Sequence, residues 1–314
     1  MQGTVDMTHA IKAIDSIHDG RHKLKDGPFE RESVPYVIPL PEHNMGAFIY
    51  TWVDREGVAG SFFVVYGPGV GDQPIVEKVG DVRMSADRNL DDWKVGNVHL
   101  QQNLDFKTAR IKVDGEQASM DLVFEALHPP YAYDSHEEGC PDWFATNRIE
   151  QAGRIRGVLR VGDKTYDVDT TGARDHSWGT REWLVPQHWK WVHAQAGQDV
   201  SVHFCQIFDR GSVVLRGYIS RDGLTSELVS ADVDFTLDDQ FLQKTIEVKM
   251  LDQAGREVLL KGDFYAHFPL VPEEAQSTLY ESSMTCEIDG KPGVGWAEFM
   301  WPTAYLDYHR SRTA

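Results

Sequence analysis

The sequence has few cysteines, no long apolar run and no excess of positive charge, and each shortage argues against a class of protein. Cys140, Cys205 and Cys286 are odd in number and far apart, so neither a disulfide framework nor a Cys-x-x-Cys metal site is predicted. We expect them to be buried free thiols. No stretch of about 18 consecutive apolar residues occurs, so no transmembrane helix is expected. The formal charge of −18 would repel a phosphate backbone and an anionic bilayer, which argues against nucleic-acid and membrane partners.

What is present is the composition of a globular protein, with 41% hydrophobic and 25% charged residues. Residues 1–20 are polar and mildly amphipathic and lack the apolar core of a signal peptide, so we expect a cytoplasmic location. Within this segment, Ala10, Ile11, Ile14 and Ile17 recur at helical spacing. They predict a short N-terminal helix over residues 8–17.

Beyond residue 20 the helical signals nearly vanish. Short runs rich in β-branched and aromatic residues follow one another, for example residues 47–53, 120–127, 200–208 and 257–265. Turn signals such as Asp289-Gly290 separate them. The pattern predicts a mainly β protein of antiparallel barrels or sandwiches. Residues 128–142, rich in proline and acidic residues, are predicted to link two domains, residues 1–135 and residues 136–314.

Tryptophan is concentrated in the centre of the chain, where four of the nine tryptophans lie between Trp178 and Trp191. If residues 189–195 form a strand, Trp189, Trp191, His193 and Gln195 share one face. A two-residue turn at Gly197-Gln198 would add alternate residues of the next strand to the same face, Phe204 and Gln206 among them. Such a wall is typical of a small-molecule pocket and equally of a sandwich core.

A polar cluster precedes this wall, between Gly172 and Gly179. In an extended chain Arg174, His176 and Trp178 point one way and Asp175 and Ser177 the other, unless a bulge intervenes. An Asp or His in a dry pocket could act as a general acid or base. The alternative is an ion pair between Arg174 and Asp175 that braces a strand junction.

Other kinds of chemistry find little support in the sequence. His188 and His193 differ in parity on one strand, so with His203 they do not predict a metal site. The glycine-rich residues 67–71 lack the strand-to-helix setting and the Lys-Ser/Thr ending of a phosphate loop. Neither a Gly-x-Ser-x-Gly elbow nor a His-Glu-x-x-His motif occurs. No metal and no organic cofactor is predicted.

The stretch from Thr171 to Trp183, with Asp175-His176-Ser177-Trp178-Gly179 at its centre, resembles the lipocalin-like family of AttH and carotenoid 1,2-hydratase (hydroxyneurosporene synthase), which carries an Asp-His-x-Trp-Gly signature. The resemblance implies two lipocalin-like antiparallel β-barrel or sandwich halves in tandem. It also implies an apolar small-molecule substrate, such as a terpenoid, polyketide or aromatic-derived compound, transformed without an organic cofactor.

The same resemblance implies roles for individual residues. Asp175 and His176 would be proton donor and acceptor, and Glu298 a second candidate acid. Trp178 and Trp191 would shape the cavity or stabilise a carbocation. The remaining residues expected to contact substrate are Arg174, Trp183, Trp189, His193, Gln195, Phe204 and Gln206.

The sequence is compatible with three functions. The first is a cofactor-independent lyase or isomerase of the hydratase, dehydratase or cyclase type. The second is a non-catalytic carrier of an apolar ligand, and the third, weaker one is carbohydrate binding or hydrolysis. The expected partner is the small molecule itself, with self-association into a homodimer as a further expectation.

Overall fold

The computed structural model describes residues 7–272 and 275–313. It consists of two compact units. The N-terminal unit is Lys12–Glu182, and the C-terminal unit runs from Trp183 onward and includes the segment before Lys12. No helix in the described ranges is long and apolar enough to cross a membrane.

An antiparallel sheet of eleven strands forms the N-terminal unit. The strands are β1 Glu30–Leu40, β2 Met45–Asp54, β3 Val58–Tyr66, β4 Ile75–Arg83, β5 Trp93–Val95, β6 Val98–Gln102, β7 Thr108–Asp114, β8 Ala118–Ala126, β9 Tyr131–Ala132, β10 Asn147–Val161 and β11 Lys164–Thr180. Their order is β4-β3-β2-β1-β11-β10-β8-β7-β6-β5, with β9 beside β10. Short 3-10 helices lie at Ser16–Asp19, Pro41–His43, Leu90–Asp92 and Tyr133–Ser135.

This sheet curls around a large apolar core. The Trp93 indole of β5 donates to the Thr51 hydroxyl of β2, at 2.9 Å. The Ser61 hydroxyl of β3 donates to the Val95 carbonyl of β5, at 2.7 Å. These bonds join strands from opposite ends of the sheet order, so the sheet is barrel-like.

The C-terminal unit is a closed antiparallel barrel of eight strands in sequence order. The strands are β12 His188–Ala196, β13 Val200–Asp209, β14 Ser212–Arg221, β15 Leu224–Leu237, β16 Gln243–Asp252, β17 Glu257–Leu270, β18 Ser277–Ile288 and β19 Lys291–Pro302. The helix α1, Thr303–Thr313, follows β19. One apolar cluster from all eight strands, including Val192, Val248 and Phe299, fills the barrel interior. The predicted mainly β fold with two barrel-like halves in tandem is therefore confirmed.

The predicted N-terminal helix is wrong, because the α-helix of the described chain lies at the C-terminus. Residues 8–15 are not helical, and only Ser16–Asp19 make a 3-10 turn. Tertiary contacts replace the helix. The Ile11 amide donates to the Thr225 carbonyl at 2.9 Å, and Ile14 packs against the cluster that contains Trp178.

The division between the units also differs from the predicted boundary at residues 135 and 136, since it falls between Glu182 and Trp183. The long strands β10 and β11 pair with β8 and β1 and so belong to the first sheet. The supposed linker lies inside the N-terminal unit, where Tyr131 and Tyr133 are fully buried. The Asp-His-x-Trp-Gly motif is thus part of the N-terminal unit.

Candidate functional site

One face of β12 carries the four residues that were predicted to share a face of this strand. Trp189, Trp191, His193 and Gln195 point away from the barrel interior, because the residues between them belong to the interior core. All four are at most 5% exposed. We call this outer surface the tryptophan face. Neighbouring strands add Ser201, His203 and Cys205 of β13, Glu281 and Ser283 of β18, and Trp296, Glu298 and Met300 of β19.

The register of β13 differs from the predicted one. Ala196 pairs with Val200, so three residues form the turn, and Gly197 adopts a left-handed φ of 62°. One extra turn residue moves every side chain of the partner strand to the opposite face. Phe204 and Gln206 therefore lie on the inner face of the barrel, and the prediction that they share a face with Trp191 is wrong.

Two buried glutamates lie at the centre of the tryptophan face. Glu281 of β18 and Glu298 of β19 are directly opposite each other in the strand register, 0% and 6% exposed. Burial, the charge of Glu298 and a hydrogen bond to Glu298 raise the pKa of Glu281 well above its usual value. Glu281 therefore holds a proton more readily than an ordinary glutamate does.

Aromatic and imidazole rings surround this carboxyl pair. The Trp189 indole donates a hydrogen bond to Glu298 Oε1 at 2.5 Å. Trp191 contacts Trp296 edge to face, with ring centroids 4.7 Å apart. His193 stacks on His203 at 4.3 Å, and Trp183 lies 5.9 Å from Trp189. The structure thus brings the predicted Trp189, Trp191, His193 and Glu298 to one face.

The motif strand β11 has no bulge, since its pairing with β10 is continuous from Asn147 to Val161. Arg174, His176 and Trp178 consequently lie on one face of the sheet and Asp175 on the other, as strand alternation requires. The structure therefore does not bring the side chains of Asp175 and His176 together, and their roles as proton donor and acceptor stay a prediction.

Arg174 is held within the N-terminal unit. Its guanidinium forms an ion pair with Asp19 at 2.9 Å and donates to the side-chain oxygens of Gln102 and Gln151. The alternative ion pair with Asp175 is absent among the described contacts, since Asp175 lies on the opposite face. Arg174 is 4% exposed. These bonds connect β6, β10 and β11 and give Arg174 a bracing role.

Asp175 belongs to a second charged cluster, on the other face of the same sheet. Arg148 donates to Asp175 Oδ2 at 2.6 Å and to Glu150 Oε1 at 2.5 Å, and the Tyr133 hydroxyl donates to Glu150. Burial and the nearby charge of Arg148 lower the pKa of Arg181 to about 10. The cluster concentrates buried charges of both signs on one surface.

His176 faces Glu32 of β1, and together with His22 they form the group in the N-terminal unit that could hold a metal ion. Their ligand atoms all lie within 4.8 Å of one another. His22 Nδ1 and His176 Nε2 each lie 2.8 Å from Glu32 Oε1. Burial alone would raise the pKa of Glu32, but hydrogen bonds from the two histidines lower it to about 2. His22 stacks on Trp178 at 3.5 Å.

Sequence interpretation missed Glu281, His203 and Trp296. A signal for Glu281 existed in the Asp289-Gly290 turn. Both turn residues have positive φ, 52° and 77°, and Ile288 pairs with Lys291. A two-residue turn at this position fixes the register and places Glu281 opposite Glu298.

Comparison with known proteins supports the fold. A family described as a domain of unknown function (DUF7064) matches residues 15–303. No curated protein matches the chain significantly. A crystal structure assigned to AttH from Nitrosomonas europaea is similar, with a TM-score of 0.65 and 15% identity over 93% of this chain and 98% of that chain.

Two further crystal structures share the architecture. Kievitone hydratase from Nectria haematococca has a TM-score of 0.63 and 14% identity, over 96% of both chains. CghA, solved with Sch210972, has a TM-score of 0.60 and 10% identity over 87% of this chain and 88% of that chain. At these identities the likeness shows the fold, and the predicted resemblance to the lipocalin-like AttH group is confirmed.

Proposed function

The chain belongs to the family of the domain of unknown function DUF7064, and we propose that it is an acid–base enzyme of the hydratase, dehydratase or cyclase type acting on an apolar small molecule. The observation that carries this proposal is the buried pair of Glu281 and Glu298 on the tryptophan face. The name of one protein of similar fold, kievitone hydratase, accords with it.

The carboxyl pair supplies the proton that such chemistry needs. Protonation of an alkene requires an acid in a water-poor site, and Glu281 is buried and has a pKa raised well above its usual value. Transfer of this proton to one alkene carbon leaves a carbocation on the other. Water then adds to the cation and returns one proton to the pair of Glu281 and Glu298, which restores the starting state.

The rings of the tryptophan face support the cationic intermediate. Indole faces attract a cation, and Trp191 and Trp296 lie next to Glu298 in the strand register. If an internal hydroxyl or alkene of the substrate attacks the cation in place of water, the same residues perform a cyclisation. In the reverse reaction, a dehydration, the carboxyl pair protonates a substrate hydroxyl, the C–O bond breaks and water leaves, and the resulting cation returns a proton to the pair.

A hydration assay in ¹⁸O-labelled water tests the proposal. Kievitone and a panel of apolar alkenes are incubated with the protein, and the products are analysed by mass spectrometry. We expect a product that carries one ¹⁸O, and a loss of at least about 100-fold in its rate in Glu281→Gln and Glu298→Gln.

Glu287→Gln is the matched control, because Glu287 lies on the same strand β18, three two-residue repeats nearer the hairpin than Glu281, and is exposed. It should leave the rate unchanged. A ligand that binds tightly and is recovered without chemical change would establish the carrier function instead. Full activity in Glu281→Gln would remove this carboxyl from the mechanism.

A further inference from the structure

The inner face of β12 carries a buried lysine at one end of the C-terminal barrel. Lys190 is 4% exposed and lies between Gln206 of β13 and Phe299 of β19 in the strand register. Its Nζ lies over the rings of Phe208, Phe235 and Phe299, at 4.8, 4.9 and 5.7 Å from their centroids. Lys190 points away from the tryptophan face and is separate from the carboxyl pair.

The charged form of this lysine is poorly stabilised. Among the residues that the structure describes, the polar side chain in contact with Nζ is that of His188, which is neutral. No carboxylate of these residues balances the ammonium charge there. A buried lysine is ordinarily found in an ion pair. Burial instead lowers the pKa of Lys190 to about 8. A substantial fraction of the amine is therefore unprotonated near neutral pH, which makes it a nucleophile.

His188 is oriented to accept a hydrogen bond from that amine. Its Nδ1 lies 2.6 Å from the Met300 carbonyl, which can only accept, so Nδ1 carries the hydrogen. Nε2 is then a lone-pair acceptor, 2.9 Å from Lys190 Nζ. Burial and the nearby charge of Lys190 lower the pKa of His188 to about 3, which keeps the ring neutral.

The rim of the barrel at this end is partly exposed. Four apolar side chains near the lysine and its histidine are only half-buried: Phe208, Leu215, Phe235 and Trp301. Phe208 and Phe235 contact Nζ, and Trp301 lies 4.1 Å from the His188 ring. The side chains around the amine and its histidine are thus apolar and partly exposed.

We propose that Lys190 is a covalent attachment site for an apolar aldehyde or ketone, with His188 as the hydrogen-bond acceptor that orients the amine. The amine nitrogen attacks the carbonyl carbon, a proton passes from that nitrogen to the carbonyl oxygen, and the resulting carbinolamine loses water, formed from its hydroxyl and the second proton of the nitrogen, to leave a C=N bond. Amine and carbonyl compound give imine and water, so no oxidant or reductant takes part. The aromatic rings around Nζ provide the apolar environment for the carbon chain.

Reductive trapping with hexanal tests this site. The protein is incubated with hexanal and sodium cyanoborohydride at pH 7, and the modified lysines are identified by peptide mass spectrometry. With a pKa of about 8, roughly a tenth of Lys190 is neutral at pH 7, against far less than a hundredth of an ordinary lysine. We expect at least about tenfold more adduct on Lys190 than on exposed Lys249, and a smaller ratio at pH 10.

Lys190→Met should fold, because methionine suits an apolar interior, and should lose this adduct while the surface adducts persist. Lys249→Met should retain it. His188→Gln should lower the rate of adduct formation with little change in the melting temperature. Unmodified Lys190 beside modified surface lysines, in a protein that folds as the wild type does, would overturn the proposal.

Discussion

Glu281 and Glu298 face each other across the β18–β19 hairpin, and the two-residue turn at Asp289-Gly290 fixes that pairing. Two adjacent buried carboxyls cannot both ionise at low cost, and the pKa of Glu281 is raised well above its usual value. The arrangement places an acid among indole rings on the outer face of a barrel. It connects a turn motif, a strand register and a chemical property in one hairpin.

The pH dependence of stability reports on this pair. Because the pKa of Glu281 is raised in the folded state, its contribution to stability is complete below about pH 4.5 and is lost as the pH rises through the folded value. The free energy of unfolding of the wild type should therefore fall relative to that of Glu281→Gln between pH 4.5 and 8. Urea unfolding across this range measures the difference. Parallel curves for the two proteins would show that Glu281 ionises normally.

Strand alternation and turn chemistry explain how much of this arrangement the sequence could predict. Alternation placed Trp189, Trp191 and His193 correctly, and it separated Asp175 from His176 once the bulge proved absent. The inner position of Phe204 could not be predicted, because the turn after Ala196 has three residues rather than two. The prediction of an N-terminal helix was wrong because the tertiary contacts of Ile11 and Ile14 outweigh a weak local preference for helix.

The domain boundary could not be predicted from composition, for a different physical reason. Residues 128–142 have the composition of a linker, yet Tyr131 and Tyr133 are fully buried. What assigns β10 and β11 to the first sheet is their pairing with β8 and β1, which are distant in sequence. Composition reports local propensity and carries little information about such long-range pairing.

Substitution of Arg148 tests the charged cluster on the N-terminal sheet. Arg148→Met would remove the guanidinium that bonds the buried carboxylates of Glu150 and Asp175. We expect a loss of about 3–5 kcal/mol in the free energy of unfolding. Arg154→Met, on the same strand, breaks the exposed pair with Asp169 and should cost about 1 kcal/mol or less. Equal losses in the two variants by urea unfolding would contradict this assignment.

Lys190 gives a second pH signature, opposite in direction to that of Glu281. Its pKa is about 8 in the folded state against 10.5 ordinarily, so the unfolded chain binds more protons between these values. Wild-type stability should rise through this interval, by up to about 3 kcal/mol relative to Lys190→Met. The stability of Lys249→Met should rise over this pH interval as that of the wild type does. A constant difference between wild type and Lys190→Met would show an unshifted lysine.

Gly217 tests the close packing behind the tryptophan face. A Cβ at this position would lie 2.2 Å from the carbonyl oxygen of His203, so Gly217→Ala must displace β13 from β14. We expect a loss of more than about 2 kcal/mol in the free energy of unfolding. At Gly80 a Cβ meets nothing within 4 Å, and Gly80→Ala should be nearly neutral. Similar stabilities of the two variants in thermal unfolding would argue against the tight approach of the strands.

The most direct test of the account is the infrared spectrum of the protein at pH 7 in the region where protonated carboxyl groups absorb. A protonated carboxyl band should be present in the spectra of wild type and Glu287→Gln and absent from that of Glu281→Gln. It should therefore appear in the wild-type minus Glu281→Gln difference spectrum. Identical spectra for wild type and Glu281→Gln in this region would mean that Glu281 carries no proton at neutral pH, and the proposed acid catalyst would be contradicted.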